Sequence, residues 1–138
     1  MFNATTNNLA ILVGRILLVL QFVPAGFGKI EGYSHTAGYM ASKGVPTILL
    51  PLVILVELVG GLCIIFGFQT RIAAFLLGGF TLLAAWIFHN PMDQTQMMAF
   101  MSHLSIIGGF GVLVGAGAGT YSVDGMMGNA GRSNAQTA

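Results

Sequence analysis

Between Pro51 and Phe68 the chain reads PLVILVELVGGLCIIFGF, an apolar run long enough to cross a bilayer, with one carboxylate, Glu57, near its middle. A charge at that depth costs roughly 2.5–3.5 kcal/mol on insertion scales, so it is rarely left facing lipid. Gly60 and Gly61 follow at i+3 and i+4, on the side of the helix where another backbone can approach closely. Glu57 is therefore expected to point into a bundle of helices.

Three further apolar stretches fit that bundle. The expected spans cover about 9–28, 46–67, 72–88 and 97–117. Arg15 interrupts the first, and no charged stretch precedes it, which separates it from a cleavable leader. Pro24 and Gly26 are expected to kink it or loosen its last turn. Only 7% of the 138 residues are charged, against about 25% in an ordinary soluble domain. The sequence predicts an all-α integral membrane four-helix bundle, one domain over 1–121 in contact with the lipid bilayer. A polar tail, 122–138, follows and is expected to be disordered at its end.

The longest polar connection is KIEGYSHTAGYMASKGV, residues 29–45. Tyr33, Ala37, Met40 and Ala41 share one helical face, which suggests a short interfacial helix with Ser34 as N-cap and Gly44 as stop. In the third span Ala74, Gly78, Thr81 and Ala85 form a small-residue stripe ending at His89. Gly111, Gly115 and Gly119 make a similar pattern in and after the fourth span, suited to contacts within one bundle or to a homo-oligomer. Four spans put both ends on one side. Arg15, Arg71 and Arg132 there, against Lys29 and Lys43 opposite, favour cytoplasmic termini.

A net charge of +1 offers no basic surface and argues against nucleic-acid binding. Cys63 lacks a partner for a disulfide and reads as a spectator thiol. Arg15 lies about 9 Å into its span and Glu57 about 15 Å from the same side, at 1.5 Å per residue. That difference is within an arginine's reach, so the two are expected to pair, either as a structural pin or as part of a functional site.

On the opposite side Lys29, Glu31, His35, His89, Asp93 and His103 share one membrane face. Lys29 alone would read as an interfacial snorkelling lysine. Together with Glu57 below, these six groups suggest a polar funnel opening from that face. Such a funnel suits a quinone headgroup, which needs a hydrogen-bonding group at each carbonyl, an apolar slot for its tail and a protonatable neighbour. Met92, Met97, Met98 and Met101 near the two histidines raise a weaker alternative, a Cu(I) site, without any stricter ligand spacing. No other metal site, nucleotide loop or haem signature is present.

The chain resembles the DoxX family of small four-helix membrane proteins, most closely its short single-domain bacterial inner-membrane members. The resemblance is carried by Arg15-Ile16-Leu17, Gly26-Phe27-Gly28-Lys29, Tyr39-Met40-Ala41, Gly44-Val45-Pro46, Glu57 with Gly60-Gly61, and Gly67-Phe68 with Thr70-Arg71. Phe88-His89, Gly108-Gly109 and Tyr121-Ser122-Val123-Asp124 complete it. One departure is Ser102-His103, where the family often has Lys-Asn. The resemblance implies a four-helix bundle with cytoplasmic termini and, loosely, a redox association, since the family is named after a membrane subunit of a thiosulfate:quinone oxidoreductase. Three roles follow as expectations: a redox-associated subunit that contacts quinone or anchors an oxidoreductase partner, a non-enzymatic scaffold or assembly factor, and a small transporter or channel. A scaffold predicts a filled core with Arg15 and Glu57 satisfied by each other. A channel requires a continuous polar path.

Overall fold

The computed structural model describes residues 3–128. Along the described residues the α-helices α1 (Ala4–Val19), α2 (Phe22–Glu31), α3 (Tyr33–Ser42), α4 (Leu50–Phe66), α5 (Thr70–Phe88) and α6 (Gln94–Ala116) follow in order, and 123–128 are again helical. A 3₁₀ turn, Thr47–Leu49, leads into α4. The segments long and apolar enough to cross a membrane are Ala4–Glu31, Thr47–Phe66, Thr70–Phe88 and Gln94–Ala116. The expected membrane bundle is the observed architecture. The end of the tail, with Arg132, lies outside the described residues.

The first span begins earlier than expected, where Asn3 accepts the Thr6 amide at 2.8 Å and caps α1. It is also broken, at Leu20–Gln21, one turn before Pro24. Proline has no N–H for the carbonyl four residues back, which here is Leu20, and its ring crowds that turn. The break therefore precedes the residue that causes it. The interfacial helix forms as α3, but Gly32 stands at its N-cap position in place of Ser34. Of its expected apolar face Met40 is buried, while Tyr33 stays exposed. Gly44 ends the turn beyond it with φ 74°.

The core gathers Val19, Phe22, Ile64, Leu77, Phe110 and Leu113 around the crossing of the spans. Phe22 meets Phe110 edge to face, centroids 5.5 Å apart. The small-residue stripe on α5 is buried as expected: Ala74, Gly78, Thr81 and Ala85 let α6 approach. A Cβ at Gly78 would sit 3.2 Å from that of Phe110. Gly61 on α4 likewise admits Val23 of α2, whose Cγ2 would lie 2.8 Å from an added Cβ. Gly111 and Gly115 meet nothing within 4 Å inside the bundle, whereas Gly119 is covered by Asn8 and Ile11.

At the terminal end the chain after α6 folds back into the bundle. Asp124 accepts the amides of Gln69 and Thr70, at 2.8 and 2.9 Å, and so caps α5 from outside its own helix. Its own amide donates to Gly67 O at 2.8 Å. Gly67 ends α4 with φ 72°, and a Cβ there would fall 2.2 Å from Ser122 Cβ. The folded unit thus extends past residue 121.

Candidate functional site

Two polar centres occupy opposite ends of the bundle, and they divide the expected site residues between them. Arg15 belongs to the terminal end. Its guanidinium donates to the carbonyls of Ala118 and Tyr121, and to Ile65 O at 3.4 Å. The expected Arg15–Glu57 pair does not form. The returning segment after α6 brings backbone carbonyls to Nη1 and Nη2 of Arg15 in place of a carboxylate, while its Nε–H has no partner among the described residues. Helix depths alone take no account of a coil segment entering the bundle, and here residues 117–122 supply carbonyl partners of Arg15.

Glu57 instead pairs with Lys29. The Nζ donates to both carboxylate oxygens, each at 2.9 Å. Lys29 is therefore no snorkelling lysine: it turns inward from the last turn of α2. Gly26, one turn earlier on the same helix, makes the approach feasible, since an added Cβ there would lie 2.7 Å from Leu58 Cγ and 3.6 Å from Glu57 Cβ. The Glu57 side chain is 6% exposed and that of Lys29 27%, so the lysine is the member a ligand can reach.

The pair lines a cavity of about 750 Å³ enclosed by α2, α3, α4 and α5, with His103 of α6 at its edge. That volume falls in the range of roughly 300–1,000 Å³ usual for small-molecule sites. Its walls are mostly apolar, from Phe22, Val53, Val56 and Phe80 among others. Leu52, Phe75, Leu76 and Leu83 also line it, yet each is more than half exposed on the outer surface. The cavity therefore opens sideways between α4 and α5 toward the lipid.

At the loop end, His89 and His103 stand side by side, ring centroids 4.7 Å apart. Burial, then the neighbouring His103 and Lys43, hold His89 below the usual histidine range. His103 Nδ1 lies 2.7 Å from Ala99 O. Tyr39 of α3 stacks on Phe88 at 5.3 Å, which fixes the helix over the cavity.

The other expected members of the funnel lie apart. Glu31 and His35 are exposed, and Asp93 caps α6 by accepting the Thr95 amide and hydroxyl at 2.9 and 2.7 Å. Met92, Met97, Met98 and Met101 are exposed and none of them lines the cavity. Among the described residues no three His, Cys, Asp or Glu side chains converge as metal ligands. Sequence reading missed Tyr39, Thr36 and Gln21 as cavity-lining residues, because nothing local marks which face of a helix a cavity will touch. The pairing of Lys29 with Glu57 was also missed, since residue types alone do not rank Lys29 above Arg15 as the partner of that carboxylate.

These features define a multi-pass membrane bundle with a laterally open cavity and, in its wall, an ion pair whose carboxylate is buried and whose lysine is partly exposed. The chain belongs to the DoxX family, whose model matches residues 10–90. Its relatives include two Escherichia coli inner membrane proteins. YqjF is 49% identical over 119 residues, 86% of this chain and 92% of its own. YphA is 38% identical, over 83% of this chain and 87% of its own. CatD of Bacillus subtilis, whose name attributes an oxidoreductase activity to it, is 32% identical over 55% of this chain and 56% of its own. No solved structure matches. The family and the four spans make this a multi-pass inner-membrane protein.

Proposed function

We propose that the protein is a redox-associated membrane subunit that binds a quinone-type amphiphile in the lateral cavity and contacts or anchors an oxidoreductase partner. The observation that carries this reading is the composition of one cavity: apolar walls open to lipid, with Lys29–Glu57 and His89–His103 lining it. An isoprenoid tail can remain among Leu52, Phe75 and Leu83 while its ring reaches the polar groups. The ion pair is neutral overall, which suits an uncharged headgroup better than a phosphate. The name of CatD adds support from a related chain.

A scaffold would fill this space and leave no cavity beside the carboxylate. The terminal centre, Arg15 with Asp124, contributes to folding in this scheme and lies outside the ligand site. We place both termini in the cytoplasm, which puts Arg15 and Arg71 on the cytoplasmic side.

The test is mass spectrometry of lipophilic extracts from gently purified protein, wild type beside Glu57→Gln. A stoichiometric quinone in the wild type that is lost in the folded variant supports the reading. No quinone in either removes it.

A further inference from the structure

The tautomer of His103 is settled by its neighbour. A backbone carbonyl can only accept a hydrogen bond, so the 2.7 Å contact with Ala99 O requires the proton on Nδ1. In the neutral ring Nε2 is then an acceptor. Among the described residues no group donates to it, and His103 lines the cavity.

Lys29 is the complementary group. Two of its three N–H bonds go to Glu57, which leaves one, and an ammonium has no lone pair to offer. The cavity thus presents a donor, Lys29, and an acceptor, His103 Nε2. A quinone has two carbonyl oxygens and can satisfy the lysine, but it has no hydrogen for the histidine. A quinol has two hydroxyls, each able to accept and to donate, so it offers a matching group to both residues.

Building on the ligand class proposed above, we infer that the cavity selects the hydroxyl-bearing, reduced form of its amphiphile, and that His103 Nε2 is the specificity-determining acceptor. The step is a binding preference, with no electron transfer required of this chain. His103→Phe keeps an apolar ring at the cavity edge and removes the acceptor. His103→Gln restores an acceptor oxygen at nearly the same distance from the backbone.

The experiment is anaerobic titration calorimetry of wild type, His103→Phe and His103→Gln in phosphatidylcholine nanodiscs, with a short-tailed benzoquinone and its chemically reduced quinol. The wild type is expected to bind the quinol about tenfold more tightly, the worth of one hydrogen bond that the quinone cannot make. His103→Phe should bring quinol affinity down to that of the quinone and leave the quinone unchanged, while His103→Gln keeps most of the preference. Equal affinities in the wild type, or a preference that survives in His103→Phe, overturn the inference and leave the cavity's ligand class standing. Failure of both forms to bind the wild type overturns the ligand class itself.

Discussion

Lys29 Nζ and Glu57 close a two-point ion pair, both N–O distances 2.9 Å, between the end of α2 and the middle of α4. Removing one partner leaves a buried group uncompensated. Lys29→Met should lower stability by about 2 kcal/mol, below the figure for a fully buried pair because the lysine is partly exposed. Replacing both, Lys29→Met with Glu57→Leu, should recover most of that loss. Thermal unfolding in detergent checks this, and a double variant as unstable as the worse single one would contradict it.

Arg15 holds the returning segment by its bonds to Ala118 and Tyr121. Arg15→Met should cost about 3 kcal/mol, since hydrogen bonds to a charged donor are lost and buried carbonyls are stranded. Arg15→Lys should restore little, because an ammonium lacks the fork that spans two carbonyls. Hydrogen exchange should rise in residues 117–124 before it rises in α5 or α6.

Asp124 caps α5, and Asp124→Ala should cost about 1 kcal/mol. Burial pushes its carboxyl up, but the amides of Thr70 and Gln69 and the charge of Arg15 outweigh that and hold it below the usual carboxylate range. With the folded value depressed, the stabilisation is complete above the unfolded value, about 3.9, and is lost as pH falls through the folded one. Melting curves between pH 6 and pH 3 should fall less steeply for Asp124→Asn than for wild type.

His89 is depressed by burial, by His103 and by Lys43. Above about pH 6.5 the ring is neutral in both folded and unfolded chains and carries no penalty. As pH falls from there through the folded value, the unfolded chain takes up the proton more readily and stability is lost. The wild type should lose melting temperature between pH 7.5 and 5.5, and His89→Gln should lose less. Equal losses would place the titration elsewhere.

Gly67→Ala combines a positive φ with a Cβ that would overlap Ser122, so backbone strain and a clash act together. The cost should exceed the roughly 1 kcal/mol of a left-handed alanine alone. A variant within 0.5 kcal/mol of wild type by thermal unfolding would show that the segment after α6 is free to move away.

Hydropathy and spacing determined the bundle, because in lipid only an apolar helix satisfies its own backbone. They also determined the inward side of α5, where Ala74, Gly78, Thr81 and Ala85 recur at helical intervals, and the inward direction of Glu57 beside Gly60 and Gly61. The tertiary structure alone decided which cation meets that carboxylate. Arg15 and Lys29 both stand within a side chain's length of the bundle interior, and a pattern of residue types cannot rank them. Their assignment depends on the break before Pro24, which aims α2 at α4, and on a coil beyond α6 that brings carbonyls to Arg15. Both arise from contacts among segments far apart in the chain, and the geometry that joins them exists only once the helices have packed.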